Sequence, residues 1–130
     1  MNTALINCLA IGGAGFVGAL TRYGVGLVLG KWSSFLSFPV GTLVINVTGS
    51  AFLGWFLTVM TKQRPGPQTE TLRLAIATGF VGAYTTFSTY MFESNDLLAK
   101  GSNYQAIAYL FGSLALGLIG VRLGVMIGRI

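Results

Sequence analysis

Four long apolar stretches, separated only by short polar breaks, constrain this chain more than any other feature. They run over residues 4–30, 38–60, 72–98 and 104–130. Each has at least the ~20 residues that an α-helix needs to cross ~30 Å of hydrocarbon. The breaks are Lys31-Trp32-Ser33-Ser34 with Pro39 shortly after, Lys62-Gln63-Arg64-Pro65-Gly66-Pro67, and Lys100-Gly101-Ser102-Asn103. The middle one cannot continue a helix, because its prolines lack the N–H and clash with the preceding turn. Only 8% of the 130 residues are charged, against roughly 25% in a soluble domain, so a water-facing surface cannot be assembled. The expected fold is all-α and integral to a membrane: four transmembrane helices forming one domain over residues 1–130.

The third stretch is unusual. Gly79-Phe80-Val81-Gly82-Ala83-Tyr84-Thr85-Thr86-Phe87-Ser88-Thr89-Tyr90 is rich in glycine, hydroxyls and aromatic rings, at mid-membrane depth by residue count. Gly and β-branched Thr weaken a helix there. Unwound backbone at that depth requires protein or a water-filled cavity to satisfy it. Two readings follow: a glycine-rich packing surface, or two half-helices meeting around Gly82 to Thr85. Elsewhere Gly26 and Gly30, and Gly120, Gly124 and Gly128, recur every four residues and allow close helix approach, within one subunit or between two.

Several function classes can be set aside. Gly13-Ala14-Gly15-Phe16-Val17-Gly18 fits G-x-G-x-x-G, but a dinucleotide site needs an acidic residue about 20 positions on. The first acid here is Glu70, so these glycines read as a thin helix face. With one cysteine and no histidine, a His/Cys metal site is excluded, and Cys8 is expected as a small buried side chain. The net charge of +5 is dispersed; it suits anionic headgroups rather than nucleic acid. The N-terminus lacks a charged secretory start, so the first stretch is expected to be retained. Lys62, Arg64, Arg73 and Arg129 lie toward one side and Lys31 and Lys100 toward the other. That bias is weak for orientation, which favours insertion both ways up and an antiparallel dimer. Four thin helices are also too few to enclose a wide path alone.

Polar residues inside spans are costly and therefore candidates for function. Thr42, Asn46 and Ser50 are four apart and share one face of the second helix; interhelical hydrogen bonding is their plain alternative role. Tyr109 and Ser113 have the same spacing on the fourth. Phe87 and Tyr90 are three apart on the third and can line a path. Hydroxyl and amide hydrogens coordinate anions, and aromatic edges carry partial positive charge. A cation route would show Asp or Glu rings, so the set leans toward a small anion. Arg122 is expected to snorkel to headgroups. Arg22 is expected to attract anions in a vestibule or to bind backbone carbonyls. Glu93 and Asp96 are expected to cap or pair near the end of the third span, with Glu93 reaching back into the protein.

These residues resemble the CrcB/Fluc fluoride channels over nearly the whole chain. The motifs are Gly18-Ala19-Leu20-Thr21-Arg22-Tyr23, Gly41-Thr42-Leu43-Val44-Ile45-Asn46-Val47-Thr48-Gly49, and the third-span segment with its Thr85-Thr86-Phe87-Ser88-Thr89 core, followed by Glu93. The resemblance implies no enzyme activity. It implies a dual-topology antiparallel homodimer in the inner cell membrane, with two pores that pass fluoride down its electrochemical gradient. By the same resemblance, Asn46 donates to fluoride and Phe87 presents its ring edge. Tyr90 takes the place of a second Phe, and Thr42, Ser88, Tyr109 and Ser113 belong to the pore. Main-chain carbonyls of Gly82 and Thr85 from both subunits hold a structural Na⁺ at the dimer centre, and Arg22 sits near the aqueous vestibule. Two departures stand out: the phenol of Tyr90, whose hydroxyl either binds fluoride or narrows the path, and Gly117 where a Ser is common, which shortens the polar track. Two other classes differ in what they require. A proton-coupled exporter of cationic drugs needs an early membrane carboxylate, which is missing here. A non-transporting structural subunit would show no ion flux.

Overall fold

The computed structural model describes residues 2–130, and among them every regular element is helical. Helix α1 (Thr3–Leu36) starts at Asn2, whose Oδ1 accepts from the Ala4 N–H at 3.0 Å. It runs straight through Lys31-Trp32-Ser33-Ser34, where a break was expected. Nothing in those four residues opposes a helix, and Ser34 Oγ donates back to the Gly30 carbonyl. The helix stops only where Pro39 approaches. Ser37 takes the left-handed conformation (φ 50°) and the Phe38 N–H donates to the Ser33 carbonyl, a Schellman-type ending. Helix α2 (Val40–Met60) follows at once. Ser33 Oγ accepts from its Gly41 N–H, so the end of one helix caps the start of the next.

The middle loop ends α2 as expected, and Pro67 then opens the next helix, five residues earlier than the apolar pattern suggested. Proline suits that first position because its missing N–H would be unsatisfied anyway. Helix α3 (Pro67–Arg73) leads into a π-helical stretch, Leu74–Val81, and a last turn, α4 (Gly82–Tyr84). Thr85 and Thr86 are extended, with ψ 161° and 122°. Helix α5 (Phe87–Ala99) and helix α6 (Asn103–Arg129) complete the chain. Between them Gly101 sits at φ 74°, a conformation that favours glycine.

Three helices, α1, α2 and α6, are each long and apolar enough to cross a membrane. The expected third crossing is divided at Thr85-Thr86 into a helical run over residues 67–84 and the shorter Phe87–Ala99. The outer surface is apolar: Phe35, Phe92, Phe111 and Met126 are all strongly exposed. Such a surface faces hydrocarbon or another protein, and the chain is a membrane protein.

Backbones approach closely at two seams. Along α2 and α6, a β-carbon on Gly54 would lie 2.5 Å from the Val121 carbonyl oxygen, and one on Gly124 would collide with the Ala51 carbonyl. The glycines repeating every four residues on α6 thus serve packing within one chain. Along α1, Gly18 lies against the Phe80 carbonyl and Gly15 faces Gly79, so the last two glycines of the G-x-G-x-x-G run form a thin face against the π-helical stretch, while Gly13 meets nothing within 4 Å. Gly26 and Gly30 meet nothing within 4 Å. Cys8, expected to be buried, is exposed on α1; the core collects instead around Tyr90, Leu97, Ala106 and Tyr109.

Candidate functional site at the divided span

The break at Thr85-Thr86 is held by one side chain. Asn46 Nδ2 donates to the Thr86 carbonyl at 3.0 Å, and Asn46 Oδ1 accepts from the Thr86 N–H at 2.8 Å. The carboxamide replaces both halves of a backbone pairing, which satisfies unwound chain inside the protein. Gly49, one turn further along α2, leaves room for Thr85 and Tyr84, where a β-carbon would collide with the Thr85 side chain. On the far side, Thr86 Oγ1 accepts from the Thr89 N–H at 3.2 Å and caps α5.

These substitutions free two carbonyls. In a continued helix the Thr86 N–H would bond the Gly82 oxygen, and the Thr89 N–H would bond the Thr85 oxygen. Both donors are turned elsewhere. The Thr85 oxygen receives a long contact from Arg22 Nη1 at 3.4 Å. Freed carbonyl oxygens at the end of a half-helix are the donor type that suits a hard cation, so the residues expected to hold Na⁺ fit by chemistry. Arg22 reaches the break itself. Gly82 remains helical and Thr85 is extended, so the division begins at the far end of the expected Gly82-to-Thr85 stretch.

Beside the break lies a groove of about 450 Å³ lined by Asn46, Thr86, Phe87, Tyr90, Ser113 and Gly117. Phe87 is largely exposed at its edge, with its ring centroid 6.0 Å from that of Tyr90. The Ser113 hydroxyl is buried and has no hydrogen-bond partner among the described residues. A buried orphan hydroxyl is costly unless a ligand or water meets it. Asn46 retains one amide hydrogen beyond its bond to Thr86. Ser50 also lines the groove, and its Oγ lies 3.9 Å from where a β-carbon on Gly117 would be.

A second polar set is built around Glu93. Thr42 Oγ1 donates to Glu93 Oε1 at 2.9 Å, and the Tyr109 hydroxyl donates to Glu93 Oε2 at 2.7 Å. Tyr109 is fully buried, packed edge-on against Tyr90 at 5.1 Å and Phe38 at 5.4 Å. Glu93 thus reaches back between α2 and α6, and Asp96 pairs outward with Lys100 at 2.6 Å.

Of the expected path residues, Asn46, Phe87, Tyr90 and Ser113 line the groove, while Thr42 and Tyr109 meet instead at Glu93. Ser88 stands apart: it lies outside the groove, its hydroxyl 3.4 Å from that of Thr86. The Tyr90 hydroxyl donates to the Leu110 carbonyl at 2.6 Å. Arg122 is exposed on α6.

The sequence matches the family described as CrcB-like protein, Camphor Resistance (CrcB), over residues 9–125. The chain belongs to the CrcB family. It is 46% identical over 111 residues to the fluoride-specific ion channel FluC 2 of Geobacillus kaustophilus, covering 85% of this chain and 84% of that one. It is 43% identical to the fluoride-specific ion channel FluC of Acidobacterium capsulatum, covering 93% of each. The corresponding protein of Chloroflexus aurantiacus is 40% identical over 95% of both chains.

Proposed function

We propose that the protein is a fluoride-selective passive channel of the inner cell membrane, working as an antiparallel homodimer with two pores. The observation that carries this reading is the two-residue division of the third span, closed by Asn46 and opening on a groove. The division brings opposite helix ends together at mid-span. The free N–H groups at the start of α5 carry partial positive charge, and the carbonyl end of the preceding half carries partial negative charge. One end suits an anion and the other a cation, as in ion-coupled membrane proteins with interrupted helices. The groove offers the remaining amide hydrogen of Asn46, the Phe87 ring edge and the unpartnered Ser113 hydroxyl. All three present positive character to a small anion. Thr42, Tyr109 and Glu93 extend the polar surface beyond the groove.

The exposed Phe87 and the open groove support a second copy as the other wall. With Gly82 and Thr85 carbonyls from both copies, a structural Na⁺ would be held entirely by oxygen atoms at the centre. Such an ion offsets the carbonyl ends of the two half-helices. The names of the relatives fit this reading.

Purified protein in liposomes should release fluoride under an imposed potential while nearly excluding chloride, and thorough Na⁺ removal should lower the flux. Equal fluoride and chloride flux, or none from well-folded protein, would overturn the channel; flux indifferent to Na⁺ would overturn the ion site alone.

A further inference from the structure

Glu93 stands between two cavities. The inner one, about 390 Å³, is bordered by Arg22, Thr42, Thr86 and Thr89. The outer one, about 530 Å³, lies where the α1–α2 and α5–α6 connections meet, and Ser34, Ser37, Asp96, Lys100 and Gln105 border it. Glu93 and Ser33 belong to both. The polar set that begins at Thr42 therefore continues past Glu93 into a chamber bordered by serine hydroxyls and the Gln105 amide at the end of the bundle.

Two carboxylates border that chamber, which is a poor entrance for an anion. Their charges are handled differently. Both Glu93 oxygens accept hydroxyl hydrogens, from Thr42 and Tyr109. Asp96 is matched by a full positive charge, Lys100 Nζ at 2.6 Å. Lys100 is the C-terminal cap of α5 and its N–H donates to the Asp96 carbonyl. A cation at a helix C-terminus is favoured by the helix dipole, which holds the ammonium at the chamber wall. The pair is solvent-exposed on both sides, 66% and 49%, so it adds little to stability. Its location on the chamber gives it an electrostatic use.

We propose that the outer chamber is the aqueous mouth of the anion path and that Lys100 sets its charge, cancelling Asp96 so that an anion passes one fixed negative charge instead of two. This rests on the fluoride-channel reading. The test compares initial fluoride efflux from liposomes for wild type, Lys100→Gln, Asp96→Asn and the double variant, with ionic strength set by an impermeant salt. Fixed charges act over ~30 Å at 0.01 M salt and only ~3 Å at 1 M. Lys100→Gln should slow efflux about threefold at the lower salt and approach wild type at the higher. The double variant should recover wild-type flux at both, because the unmatched carboxylate is gone. Lys100→Gln at wild-type flux in low salt would overturn the proposal. So would a slowing unchanged by salt, or a double variant as slow as Lys100→Gln, the result expected of a purely structural pair. Wild-type flux is read in the same vesicles: its presence with an unaffected Lys100→Gln rejects the mouth alone, and its absence rejects the channel with it.

Discussion

Helix α2 has two working faces, and they are built by opposite means. Toward α6, the Gly54–Val121 and Gly124–Ala51 approaches bring backbone against backbone. Every main-chain group there stays within its own helix, and contact is made by shape. Toward the divided span, the same helix presents Thr42 and Asn46, and contact is made by side-chain hydrogen bonds, to the Glu93 carboxylate and to the Thr86 backbone that has left its helix. Lipid tails are as apolar as leucine, so burying apolar surface gives little drive for helices to associate in a bilayer. Close packing at small residues has to hold the scaffold. That leaves the polar residues of the other face available for an unwound segment that packing alone could not satisfy.

The largest effect should come from breaking the packed face. Leucine at Gly124 would push its β-carbon onto the Ala51 carbonyl and within 2.8 Å of the Trp55 nitrogen, both backbone atoms that yield only if the helices separate. Gly124→Leu is expected to cost more than about 4 kcal/mol, in the class of severe overpacking, and to leave no monodisperse protein after detergent extraction. Gly112→Leu, on the same helix with nothing within 4 Å, should extract and elute like wild type. If both behave alike, the α2–α6 seam is not what holds the bundle.

On the polar face, the corresponding break is Asn46→Leu. It strands the N–H and the carbonyl of Thr86 together. Each unpartnered buried group costs about 1–3 kcal/mol. Thr86 borders the groove, so water can reach it and the low end of about 2 kcal/mol in total is expected. The protein should still fold, with a lowered thermal midpoint, while fluoride flux is abolished. A folded Asn46→Leu protein with wild-type flux would mean that the division is held by something other than this carboxamide.

How much of this was legible depends on which force acts. The spans could be read because hydrocarbon thickness fixes a minimum apolar length, and no other force competes. Their ends were less legible. Lys31-Trp32-Ser33-Ser34 is polar yet helical, because polarity does not end a helix whereas the approach to Pro39 does. The polar candidates could be found because a hydroxyl or amide in a span needs a reason, and spacing by four placed Thr42 and Asn46 on one face. The division could be read only to within Gly82 to Thr85: Gly82 has the weaker propensity, but Asn46 sits opposite Thr86, and a tertiary hydrogen bond outweighs propensity. The π-helical stretch had no sequence signal, since Leu74–Val81 reads as ordinary apolar helix. Nor could a sequence say which way the Tyr90 hydroxyl points.

That hydroxyl gives the finest test of the two-face distinction. Tyr90 stands at the junction: its ring borders the groove, while its oxygen donates to the Leu110 carbonyl on α6. If the oxygen serves packing, Tyr90→Phe loses a single hydrogen bond, about 0.5–1.5 kcal/mol. The Leu110 carbonyl is not stranded, because within α6 it also faces the amide of the residue four positions on. The ring edge toward Phe87 is unchanged. The variant should therefore melt slightly earlier and conduct fluoride within about twofold of wild type, with chloride still excluded. A hydroxyl in the path would behave differently, since removing a donor from a desolvated ion costs on the order of the 1.5–3 kcal/mol of a charge-assisted hydrogen bond, roughly tenfold or more in flux. A large change in flux with an unaltered melting temperature would move Tyr90 from the packed face to the conducting one.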